Sequence, residues 1–258
     1  MLKTFQNIVS GLMGVISSMS LLLIVRIPGR TVFFIVVLVW FALLVFGEGQ
    51  LRRLKRSKQT ILPILLATVL SYTSLISIVE WKFLNWPFIL LLGISVFLLF
   101  QSIVTSEKGL FTIEQKPYRR IMVLIWTLNG YAMITTVFAL GLFFPGIPFW
   151  ILAVVGGILL GLISFMVWKM YSKLDFRKGL VWIFLMSFLI IELVWVMHLL
   201  PFGYLVSGFL VAWLWYILQL FMRFHFGPKG VIWKRQIWFI VSNAVLYSFL
   251  MIFFVRWV

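Results

Sequence analysis

The sequence predicts an all-α protein: a polytopic transmembrane helical bundle of nine spans, arranged as four helical hairpins plus one C-terminal helix. Three observations carry this. Of 258 residues, 64% are hydrophobic and 11% charged, against roughly half and a quarter in soluble domains, so little is left for a water-facing surface. Apolar runs near the bilayer-crossing length of about 20 residues recur at 5–25, 31–47, 61–79, 87–105, 121–144, 148–168, 180–200, 202–222 and 236–255. None alternates with the period of a strand, as "TVFFIVVLVWFALLVF" illustrates, so each reads as a helix. The connections are short, and residues 1–258 read as a single integral membrane domain with no soluble domain.

The first run begins with a basic Lys3, and Ser18-Met19-Ser20 resembles a small-residue cleavage site. Its apolar character continues through Leu21–Val25, so an uncleaved helix is expected, with Gly11, Gly14 and Ser18 on one face suited to close helix approach. The second run is the shortest. The third carries Ser71, Tyr72 and Thr73, and the fifth carries Asn129, Thr135 and Thr136. On the sixth, Ala153, Gly157 and Gly161 repeat every four residues, and on the eighth Gly208 and Ala212 do the same. These small-residue ridges predict tight packing, within this protein in preference to between copies of it.

Proline marks the even-numbered helices. Pro28, Pro87, Pro148 and Pro201 stand just before or at their starts, where the first helical turn tolerates a missing N–H. All eight prolines are expected in turns or in the first residues of a span, so none should interrupt a helix. Broken helices often mark the substrate sites of transporters, and their expected absence weakens a transporter reading. The 28–87–148–201 spacing is read as convergent turn chemistry in preference to internal duplication.

Basic residues set the sides. With the N-terminus inside, 18 of the 22 Lys and Arg fall on the cytoplasmic side: Lys3 and the clusters within 52–58, 108–120, 169–178 and 223–235. Arg26, Arg30, Lys82 and Arg256 remain outside. A bias of this size predicts a cytoplasmic (inner) membrane protein with a cytoplasmic N-terminus and an external C-terminus. The same clusters predict contact with anionic headgroups of the lipid bilayer. The net charge of +16 does not predict a nucleic-acid partner, because the aromatics lie in the spans and do not interleave the basic loops. Trp81, Trp86 and Trp150 on one side, and Trp168, Trp182 and Trp233 on the other, read as interfacial belts.

Glu192 is the only Asp, Glu, Lys or Arg inside the nine runs. It lies fourteen residues beyond Lys178, about 21 Å along a helix. An ionised carboxylate is expensive in hydrocarbon, so Glu192 should face protein or a wet cavity. Neighbours at similar depth are Ser71, Tyr72, Thr135 and Thr136, with Asn129 nearer the cytoplasmic side. His198, about 120° around the helix from Glu192, does not share its face.

Enzyme chemistry finds little support. There is no Cys, which excludes disulfides and thiolate ligands. The spans offer one carboxylate and one imidazole, short of a metal site or an acid–base pair. No catalytic or metal residue and no cofactor is expected. Glu48, Glu107, Glu114 and Asp175 are scattered among basic residues and read as charge balance. The expected role is a non-enzymatic accessory or assembly component, with a membrane-protein partner or a second copy bound. The alternatives are a small-solute or proton-coupled permease using Glu192, and a lipid-modifying enzyme.

Overall fold

A computed structural model describes residues 2–27, 29–55, 60–103, 116–172, 174–226 and 233–254. Pro28, Pro228, Glu107, Glu114 and the basic residues Arg56, Lys58, Lys108, Lys173, Lys229 and Arg256 lie outside them. Among the described residues the chain forms nine α-helices: α1 (Leu2–Arg26), α2 (Arg30–Lys55), α3 (Leu62–Ile78), α4 (Lys82–Ser102), α5 (Lys116–Phe143), α6 (Phe149–Lys169), α7 (Phe176–His198), α8 (Tyr204–His225) and α9 (Trp233–Phe254). Eight are long and apolar enough to cross a membrane. In hydrocarbon the backbone has no water to bond, and a continuous helix satisfies its donors and acceptors internally.

Two expectations about these elements are corrected. The shortest helix is α3, with 17 residues, while α2 runs to 26. The segment "GEGQLRRLK" continues α2 past its apolar stretch, and a hydropathy scan stops where the polar residues begin. Pro87 lies inside α4, because that helix starts at Lys82. It removes one backbone bond about a turn into the helix. Pro63 sits in the first turn of α3 and Pro148 caps α6 at φ −58°, positions that proline's fixed φ suits.

The chain divides into two compact units, Met1–Ala132 and Met133–Val258. In the first, α1 is the hub and lies antiparallel against α4. Ser18 Oγ donates to the Ile89 carbonyl (3.2 Å) and Gln101 Nε2 to Asn7 Oδ1 (2.8 Å) at opposite ends of this crossing. At its middle a Cβ on Gly14 would come within 2.8 Å of the Gly93 carbonyl oxygen, so only glycine allows the two backbones this close. In the second unit α6 and α7 cross by the same means. A Cβ on Gly157 would sit 2.8 Å from the Ser187 carbonyl oxygen, and Gly161 faces the Ser187 hydroxyl. Gly208 of α8 packs against Thr135 of α5, and Ala153 and Ala212 are buried. Without a hydrophobic drive between helices in lipid, such close packing supplies much of the cohesion.

Candidate functional site

Four polar side chains, two in each unit, share one arrangement. A side chain donates to the carbonyl four residues back on its own helix and accepts a donor from a neighbouring helix. Ser17 Oγ donates to the Met13 carbonyl (2.7 Å) and accepts from Trp40 Nε1 (2.9 Å). Thr68 Oγ1 donates to the Ile64 carbonyl (2.7 Å) and accepts from Asn129 Nδ2 (2.9 Å). Ser164 Oγ donates to the Leu160 carbonyl (2.8 Å) and accepts from Trp215 Nε1 (2.8 Å). Asn243 uses its amide in the same way, donating to the Phe239 carbonyl (2.8 Å) and accepting from Trp213 Nε1 (2.9 Å). The i−4 bond parks the hydroxyl proton, and the remaining lone pair joins two helices. The deep tryptophans Trp40, Trp213 and Trp215 are therefore donors in these ties. Trp168, expected in an interfacial belt, is fully buried 5.4 Å from the Phe226 ring; its position in sequence marks a boundary but not which way the ring turns.

The residues expected around Glu192 are used elsewhere. Ser71 donates to its own Ala67 carbonyl (2.5 Å). Tyr72 pairs with the Ser95 side chain on α4. Asn129 belongs to the tie with Thr68. Thr135 is buried against Gly208, and Thr136 is half-buried on α5. Among the described residues no group of three or more His, Asp or Glu gathers into a metal-holding arrangement.

The two carboxylates that matter are placed opposite to expectation. Glu48, read from the sequence as charge balance, is buried on α2 at 4% exposure. Its Oε1 accepts from the Thr60 hydroxyl (2.8 Å) and from the Ile61 backbone N–H (3.3 Å). The start of α3 has no cap from its own N-cap side chain, so Glu48 supplies the acceptor that the exposed N–H groups of a helix start require. A signal for this was present: Thr60-Ile61-Leu62-Pro63 is a helix start with proline in the first turn.

Glu192 is exposed on α7. The opposite face of that helix, with Ile183, Met186, Ser187, Ile190 and Val194, is buried. Around Glu192, one turn to either side, stand Phe188 (51% exposed), Trp195 (45%) and Val196 (55%). The carboxylate thus emerges from the middle of an apolar outward surface, and Glu192 has no hydrogen bond or ion pair among the described residues. Of the expected surroundings, protein or a wet cavity, the described residues supply no bonded partner. Further along α7, the His198 ring stacks on Phe149 (3.6 Å between centroids, 12°), and Phe149 also touches Trp195 at 6.1 Å.

One further concavity lies in the first unit, a groove of about 300 Å³ between α1 and α4. Gly11, Gly14 and Gly93 floor it, and Met19, Leu90 and Phe97 help to wall it. Its polar content is the Ser18 hydroxyl, already donated to Ile89, so it offers shape but no reactive group. A scan of protein-family models finds none that matches this chain, and searches of curated proteins and of solved structures find no similar protein.

Proposed function

We propose that the protein is a non-enzymatic accessory or assembly component of a cytoplasmic membrane, oriented with its N-terminus in the cytoplasm and its C-terminus outside. The supporting observation is Glu192, an acidic side chain held on an exposed, apolar helix face without a hydrogen bond or ion pair among the described residues. A group that is costly to leave in lipid makes sense on a surface that another membrane protein covers. The basic clusters, such as Arg52 with Arg53 and Arg119 with Arg120, support the orientation and a headgroup contact on the cytoplasmic side.

The absence of cysteine makes the test clean. Glu192→Cys in native membranes should resist membrane-impermeant thiol reagents, and the protein extracted with its surrounding lipid should carry a second polypeptide in fixed ratio. Rapid labelling of that cysteine from the aqueous phase, with no companion polypeptide, would replace this reading with the permease, in which water reaches Glu192.

A further inference from the structure

We propose that the outward face of α7 binds a transmembrane helix of a different polypeptide, which presents an arginine or lysine to Glu192. This rests on the assembly reading above and names the chemistry of the partner.

Charge complementarity selects the occupant. Glu192 lies in the interior of α7, far from its basic first turn with Arg177 and Lys178. An ionised carboxylate at this depth calls for a cation at the same depth. The chain's own helices hold none there: every Lys and Arg within them lies close to a helix end, from Arg52 and Arg53 on α2 to Arg119 and Arg120 on α5 and Arg223 on α8. A second copy would bring only another Glu192, setting like charges against each other. The cation therefore comes from another protein.

The surroundings suit a guanidinium or ammonium group. Trp195 stands one turn from Glu192 on the same exposed face, and its indole is braced by Phe149 (6.1 Å). A cation seated between carboxylate and indole would meet an ion pair and an aromatic face together. Phe188 and Val196 complete an apolar rim against which a helix can pack.

The test places a photo-crosslinking side chain at Val196 in the full-length protein in native membranes, with Phe34, exposed on α2, as control position. The expected product at Val196 is an adduct to one other membrane protein, through a span that carries Arg or Lys at facing depth. Glu192→Gln should lower its yield about tenfold, the scale of one lost charge-assisted contact, and Glu192→Lys should abolish it. Exchanging the partner's basic residue for Glu should restore the adduct to the Glu192→Lys variant. An adduct to a span without a basic residue, or one unchanged by Glu192→Gln, overturns this inference while the assembly reading stands. An adduct to a second copy of this chain also overturns it. Adducts to lipid alone, with no companion polypeptide in the extracted particle, overturn both.

Discussion

The two units of this protein use the same device to bring helices together and treat their carboxylates in opposite ways. In the first, Gly14 and Gly93 let α1 and α4 touch; in the second, Gly157 and Gly161 do this for α6 and α7. Yet Glu48 in the first unit is enclosed with two donors, whereas Glu192 in the second lies open with none. The difference teaches that depth in an apolar run does not decide whether a carboxylate is buried. Nearby donors do. Glu48 lies beside an uncapped helix start, which needs an acceptor. Glu192 projects from the side of a helix whose backbone groups are already paired.

The largest expected effect tests the shared device. Gly14→Leu and Gly157→Leu each force a side chain to within 2.8 Å of a facing carbonyl oxygen, and each should cost about 3 kcal/mol by overpacking, read as lost folded fraction in a denaturing-detergent titration. If one unit accepts leucine without loss, the two crossings are not equivalent. Next comes the enclosed carboxylate. Glu48→Ala strands the Thr60 hydroxyl and the Ile61 N–H and should cost about 2 kcal/mol, while Glu48→Gln, which keeps a carbonyl acceptor, should cost less in the same titration.

A smaller effect is expected at the ties. Trp40→Phe in the first unit and Trp215→Phe in the second each delete one buried indole donor to a serine, and each should lose about 1 kcal/mol. Unequal losses in thermal melts would show that one tie is incidental. The smallest effect is expected at the open carboxylate. Glu192→Gln in the purified single protein should shift stability by less than about 0.5 kcal/mol, because no contact of this chain is removed. A loss as large as that of Glu48→Ala would mean that Glu192 has an internal partner, and the contrast between the units would fail.

The fold was legible because the bilayer allows few solutions. Apolar length and the absence of alternation placed all nine helices, and Pro148 marked the start of α6. Boundaries slipped where a helix continues into polar sequence, as α2 does through Glu48 to Lys55, or begins before its apolar run, as α4 does at Lys82. The candidate site was half legible. Hydropathy located Glu192 along the membrane normal, but the direction in which it points depends on which face of α7 meets α6, and that is set by Gly157 and Gly161 pressing on Ser187. Thr135, Tyr72 and Asn129 were expected near it on depth alone, but each is engaged with another helix: Thr135 packs on Gly208, Tyr72 pairs with Ser95 and Asn129 with Thr68. The role of Glu48 was hidden for the converse reason: its partners, Thr60 and Ile61, follow in the next connection, and a composition scan sees only the arginines around it.

The paired use of Ser17, Thr68, Ser164 and Asn243 has a consequence for how the bundle meets its environment. Each joins its neighbour through uncharged dipoles alone, with no group that gains or loses a proton near neutrality. These four ties are therefore indifferent to salt and acidity, and among the described helices any such sensitivity enters through ionisable side chains such as the enclosed Glu48 and the open Glu192.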